Sequence, residues 1–172
     1  MVKVNIPNGG EVISFENGVL SIPNFPIIPF IIGDGIGIDV TPVMMKVLNA
    51  AVKKSYQNSR EIKWLEIFAG NKANELCNEL LPKETLEAMR KYKVSIKGPL
   101  TTPIGIGHKS LNVLLRQELD LYACVRPIRY FSGTSSPMVD SSRTDMIVFR
   151  ENTEDLYTGI EWKAGSDGAK KI

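Results

Sequence analysis

Only two cysteines, Cys77 and Cys124, and one histidine, His108, occur in the 172 residues. Neither the count nor the spacing of the cysteines gives a disulfide framework or a zinc site. They read as buried free thiols in a reducing cytosol. An excess of one charge is also missing: 21 Lys+Arg stand against 19 Asp+Glu, a net charge of +2. That is too small to argue for a nucleic-acid partner. No apolar run approaches the roughly 20 residues of a membrane helix. The longest candidate, Phe25 to Ile32, is broken by Pro26 and Pro29. Met1 to Pro7 shows no apolar h-region, so no secretory signal is expected, and a cytoplasmic location without membrane partners is. What is present is ordinary for a folded chain: 43% hydrophobic and 23% charged residues. That balance excludes disorder throughout. The length fits one domain, or one and a fraction of another, and allows a true core.

No internal repeat or low-complexity tract occurs. The first 24 residues, with Gly9-Gly10 and Gly18, read as an arm or a short hairpin. Ile27 to Ile32 reads as a strand stopped by Gly33-Asp34-Gly35, with Pro29 arguing for an edge position or a strand start. Thr41 suits a helix N-cap and Pro42 the first helical position. Val43, Met44, Val47, Leu48, Ala51 and Val52 then form an apolar face at helical spacing. Ile62 to Phe68 reads as a second strand. Asn71 to Glu79 and Pro82 to Arg90 read as helices, and Val94 to Ile96 as a third strand. This β-α-β-α-β order predicts a largely parallel sheet with helices on its faces. Beyond it, Leu100 to Lys109 reads as a loop and Ser110 to Glu118 as a short helix. Leu121 to Ile128 and Met146 to Phe149 read as two strands joined by a Ser/Gly/Pro-rich connection. The tail from Ala164 is small and polar, and the α/β architecture reads as incomplete.

Gly33-Asp34-Gly35-Ile36-Gly37 lies between a strand and a helix, but its third glycine comes one residue too early for the Rossmann fingerprint. A tight turn needing glycine backbone angles explains it without a phosphate. If a helix begins at Ser110, that hydroxyl and the first backbone N–H groups form an anion site. Asn112 and Arg116, four residues apart, share a helix face. An ordinary N-cap serine beside a solvated arginine is the plain alternative. Arg126 interrupts an apolar strand, and Arg150 ends another. Arginines withdrawn from water need anionic partners, and their planar forks suit carboxylates. Three of them with Ser110 and Asn112 would neutralise a tricarboxylate, yet Glu151, Glu154 and Asp155 are near enough in sequence to pair with them instead. Tyr157 is either a packing residue or, beside these cations, a general acid/base. His108 reads as exposed and non-catalytic. The acidic run Glu151 to Asp155 matches no metal-coordination loop.

Several of these blocks together resemble the N-terminal part of bacterial NADP-dependent isocitrate dehydrogenases, of the isocitrate/isopropylmalate dehydrogenase family. They are Ile32 to Gly37, Ile96 to Pro103, Ser110 to Tyr122, Arg126-Pro127 and Phe149 to Glu161. The resemblance spans about residues 25–163, and it is the combination that is specific. It implies an α/β, non-Rossmann fold of that family, incomplete in this chain. Residues 1–24 would be an N-terminal arm, 25–120 part of a large domain, 121–155 the start of a small domain, and 156–172 the start of a clasp-like segment.

The implied activity is oxidation of isocitrate to 2-oxoglutarate and CO₂ with NADP⁺ and Mg²⁺ or Mn²⁺, in the tricarboxylic acid cycle. Isopropylmalate and homoisocitrate dehydrogenases are the alternatives within the family. A non-catalytic anion-binding or interaction module built from the same half-domain is the alternative outside it. Ser110 and Asn112 favour isocitrate, since a polar group left facing the apolar substituent of isopropylmalate would cost about 1–3 kcal/mol. By resemblance, Ser110, Asn112, Arg116, Arg126 and Arg150 hold the substrate carboxylates. Tyr157 supplies a proton, and Thr102, with Thr101 and Lys97, lies near substrate or the nicotinamide. Members of the family are much longer than this chain. The resemblance places the catalytic lysine, the metal-binding aspartates and most adenine and 2′-phosphate contacts outside it, two of those groups coming from the second subunit of a homodimer. The 172 residues alone are therefore expected to be inactive. Ser110 is also a candidate phosphorylation site for a regulatory kinase/phosphatase, since a charge of about −1.5 to −2 there would repel a trianion.

Overall fold

A computed structural model describes residues 4–101, 110–154, 162 and 164–171. The chain forms two compact units, Met1–Leu115 and Arg116–Ile172.

The first unit opens with a hairpin of β1 (Ser14–Glu16) and β2 (Val19–Ser21). Asn17 and Gly18 at its tip have φ of 52° and 79°, the paired positive angles of a tight two-residue hairpin turn. A three-stranded parallel sheet follows, in the order β4-β3-β5, from β3 (Ile27–Ile31), β4 (Lys63–Glu66) and β5 (Ile96–Lys97). Three helices connect these strands: α1 (Gly37–Tyr56), α2 (Asn71–Cys77) and α3 (Lys83–Tyr92). The parallel β-α-β-α-β reading is what the structure shows.

Three local readings need correction. Pro29 lies in the central strand of the sheet, not at an edge or a strand start. Backbone groups alternate in direction along a strand. The carbonyls of Pro26 and Phe30 accept from Lys63 and Ile67 on the β4 side, and that of Ile31 accepts from Gly98 on the β5 side. Pro29 shares the parity of Ile31, and pairing with β5 begins only at Phe30. No ladder partner is waiting for the N–H that proline lacks. The second correction concerns α1, which starts at Gly37, four residues before the Thr41-Pro42 signature. Thr41 does not cap the helix; its buried hydroxyl donates to the Ile32 carbonyl at 2.8 Å. Pro42 sits inside the helix, opposite the carbonyl of solvent-exposed Ile38. The third correction follows from the second: Met44, Leu48 and Val52 are half-buried, but Val43, Val47 and Ala51 of the expected apolar face are exposed.

The core of this unit lies between sheet and helices. Ile27, Ile28 and Ile31 from β3, Leu65 from β4 and Ile67 just after it are buried with Ala73, Met89 and Tyr92. Each large aliphatic residue so withdrawn from water contributes about 1.5–3 kcal/mol. Thr85, Met89 and Tyr92 recur at four and three residues and form the buried stripe of α3. The Thr85 hydroxyl donates to the Phe68 carbonyl at 2.6 Å, joining α3 to the end of β4. Trp64 of β4 packs edge-on against Phe30, and its indole N–H donates to Asn49 of α1 at 3.0 Å.

Helix α4 (Leu111–Glu118) buries Leu111 and Leu115. The second unit contains an antiparallel ribbon of β6 (Ala123–Arg129) and β7 (Asp145–Glu151), joined by a segment with a 3-10 turn at Ser141–Arg143. Most residues of both strands are exposed.

Candidate functional site

All three parallel strands of the first unit point their C-terminal ends at one group of turns. In α/β sheets this edge is where ligands bind, because the following loops leave backbone groups and short side chains free to meet them. The turns are Gly33-Asp34-Gly35 after β3, Ala69-Gly70-Asn71 after β4 and Gly98 to Thr101 after β5. Asp34, 6% exposed, links them. One carboxylate oxygen accepts the Asn71 backbone N–H at 2.9 Å, and the other accepts that of Thr101 at 2.8 Å. Its own N–H donates to the Pro99 carbonyl at 2.6 Å. Two glycines permit this approach. A Cβ on Gly33 (φ +89°) would collide with the Pro99 carbonyl, and one on Gly70 (φ +72°) would stand 2.5 Å from the Asp34 carboxylate. The sequence reading missed Asp34 because it weighed the glycines of this turn and not the acid between them.

Lys97 and Thr101 both belong to this edge. Lys97 closes β5, is exposed, and donates to the Gly98 carbonyl at 3.0 Å. The side chain of Thr101 is exposed while its backbone is held by Asp34. Thr102 lies outside the described residues.

Ser110 stands immediately before α4, and its carbonyl accepts the Leu114 N–H at 2.9 Å, the first intrahelical bond. This is the expected N-cap position. Asn112 and Arg116 lie one turn apart on α4 and are both half-buried. Burial of Leu111 and Leu115 fixes the rotation of the helix and so the direction of the Asn112–Arg116 face.

Arg126 and Arg150 come together on the β6–β7 ribbon. Cys124 pairs with Arg150 and Arg126 with Val148, so the two arginines are diagonal neighbours on one face. Arg150 is half-buried and Arg126 exposed. The premise that an apolar strand buries Arg126 therefore fails, because β6 has most of its residues in solvent. Glu151, the nearest acid in sequence, is engaged with the backbone that follows it. Its Oε2 accepts the backbone N–H groups of Thr153 at 3.1 Å and Glu154 at 2.5 Å. A hollow of about 320 Å³ lined by Asp120, Tyr122, Glu151 and Glu154 carries the wrong sign for an anion. Tyr157 lies outside the described residues, as do His108 and Asp155.

No group of three or more His, Cys, Asp or Glu side chains that could hold a metal ion occurs among the described residues. They do not fit the divalent ion that the resemblance implies. No helix among them is long and apolar enough to cross a membrane.

Known proteins point the same way as these residues. The pattern of the isocitrate/isopropylmalate dehydrogenase family matches residues 27–171. The NADP isocitrate dehydrogenase 1 of Colwellia maris is 58% identical over 172 residues, covering 99% of this chain and 41% of the relative. That of Pseudomonas aeruginosa is 54% identical over 173 residues, with the same two shares. The crystal structure of isocitrate dehydrogenase from Methylococcus capsulatus superposes with a TM-score of 0.68 at 40% identity, covering 79% of this chain and 37% of that one. The chain thus spans about two fifths of the length of the curated relatives it matches. The family pattern covers nearly the whole chain, and the chain belongs to the isocitrate/isopropylmalate dehydrogenase family.

Proposed function

We propose that the protein containing this chain converts isocitrate and NADP⁺ to 2-oxoglutarate, CO₂ and NADPH, as a step of the tricarboxylic acid cycle in the cytoplasm. One observation carries the reading: agreement along nearly the whole chain with relatives that bear this activity in their names. In this reading residues 25–120 belong to a large domain, 121–155 begin a small domain, and the complete enzyme is a homodimer.

The side chains divide the work by chemistry. Arg116, Arg126 and Arg150 offer planar donor forks that match carboxylates two bonds at a time. Ser110 and Asn112 add neutral donors for the third carboxylate, the group that separates isocitrate from isopropylmalate. Their places support this: one helix turn carries Asn112 and Arg116, and one ribbon face carries Arg126 and Arg150. Lys97 and Thr101 supply an ammonium and a hydroxyl at the sheet edge, donors suited to the amide or phosphates of NADP, and the resemblance adds the hydroxyl of Thr102 to them. NADP, when bound, takes the hydride from C2 of isocitrate. The β-carboxylate then departs as CO₂, and Tyr157 supplies a proton toward the enol. The divalent ion is assigned no step by these residues. Phosphorylation of Ser110 by a regulatory kinase would put two negative charges against each other in this clamp.

The test is NADPH formation by the complete polypeptide with Mn²⁺ or Mg²⁺ present, with isocitrate and isopropylmalate offered separately. Product from isocitrate alone is expected. Product from isopropylmalate alone, or from neither, overturns the reading.

A further inference from the structure

We propose that Asp34 is a positioning residue: its carboxylate sets the backbone of Thr101, and through it the affinity of the sheet edge for the nicotinamide nucleotide. The second half of this statement rests on the function proposed above; the first half does not.

The two carboxylate oxygens are divided between two loops, Oδ1 to Asn71 at the start of α2 and Oδ2 to Thr101 after β5. A carboxylate is rigid and planar, so the spacing of these two N–H groups is set by one small group. The carboxylate is itself fixed. Asp34 is 6% exposed, its N–H is bonded to Pro99, and the absence of a side chain at Gly70 leaves the space it fills. Thr101 cannot move by an ångström without giving up a charge-assisted bond. The pinned residue is itself one of the proposed nucleotide donors, and Lys97, another, lies four residues before it on the same edge. Asparagine in place of Asp34 would offer one carbonyl and one NH₂. One of the two backbone N–H groups would then face a donor.

The experiment uses the complete polypeptide carrying Asp34→Asn, with Thr85→Val as a comparison. Thr85→Val removes a buried hydrogen bond in the same unit whose acceptor, the Phe68 carbonyl, lies just before the turn after β4 and takes no part in the bonds of Asp34. In Asp34→Asn, amide exchange at Thr101 or Asn71 is expected to quicken by about tenfold or more. The KM for NADP⁺ should rise about tenfold while kcat and the KM for isocitrate stay within about threefold. Thr85→Val should lower Tm with the nucleotide KM unchanged. An Asp34→Asn enzyme that loses Tm like Thr85→Val and keeps both its Thr101 exchange and its nucleotide KM overturns the proposal. If Asp34→Asn does not fold, the same readouts are taken in Asp34→Glu, which keeps both acceptors but displaces them by one methylene. Faster Thr101 exchange without a change in nucleotide KM then overturns the positioning role. If the unsubstituted polypeptide makes no NADPH from isocitrate, the proposed function falls with the nucleotide half of this inference, and Thr101 exchange alone decides the first half.

Discussion

Single side chains hold the first unit together at places the sequence does not announce. The hydroxyl of Thr85, 2% exposed, is the only polar atom in its own side chain, and it serves the Phe68 carbonyl. Thr85→Val keeps the volume and leaves that carbonyl without this donor. A loss of about 1–3 kcal/mol is expected, read from the urea midpoint of unfolding. Arg116 is different: half-buried on α4, it matters through the anion it is proposed to hold. In the complete enzyme Arg116→Leu should raise the KM for isocitrate about 10- to 100-fold, the worth of a charge-assisted hydrogen bond at about 1.5–3 kcal/mol. Unchanged kinetics would remove it from the clamp. Ser110 and Arg116 were legible because a serine before an apolar helix and an arginine on its face are local patterns. Asp34 was not, since its partners are 37 and 67 residues away in the chain.

Among the elements, β3, β4 and α3 follow their sequence patterns because burial and periodicity agree there. Helix α1 follows its pattern less well. Thr41-Pro42 is a good start signal, yet the bond from Thr41 to Ile32 and the turn at Asp34 start the helix at Gly37. Ile36, Val40, Val43 and Val47, spaced four, three and four residues, consequently form an exposed apolar stripe. Val47→Lys should change the stability of the 172-residue chain by less than about 0.5 kcal/mol. Ile31→Ala, at the buried C-terminal end of β3 where the residue is 1% exposed, should cost about 2–5 kcal/mol. Urea unfolding of the two variants separates these outcomes. The β6–β7 ribbon is the other contrast. A two-stranded ribbon with both faces in water is marginal by itself. Its amides should exchange in the 172-residue chain far faster than those of β3, as hydrogen exchange with mass spectrometry would show. That β6 and β7 are strands was legible from their apolar runs. Their exposure was not, because burial is decided by what else packs on a strand.

At the scale of the whole molecule, the chain carries two units and about two fifths of the length of its relatives. Its described residues hold no metal-binding cluster. Because the resemblance places the catalytic lysine and the metal-binding aspartates outside these 172 residues, they are expected to form no NADPH from isocitrate by themselves, even with Mn²⁺, and detectable turnover would show that the proposed reaction needs less than the longer polypeptide. The parallel sheet was legible because strand and helix periods alternate cleanly over the first hundred residues, and the family because several motif blocks resemble it in combination. The joining of three strand ends by one acid was not, because it is a property of the assembled sheet. That joining has a kinetic meaning as well. The bond from Thr101 to Asp34 closes a 67-residue loop, and contacts of such separation form only after the intervening segments have collapsed into place. The Gly98 N–H, bonded to the Ile31 carbonyl, closes a loop of the same length, so on refolding the Gly98 and Thr101 amides should gain protection together in pulse labelling, after the amides that join β4 to β3.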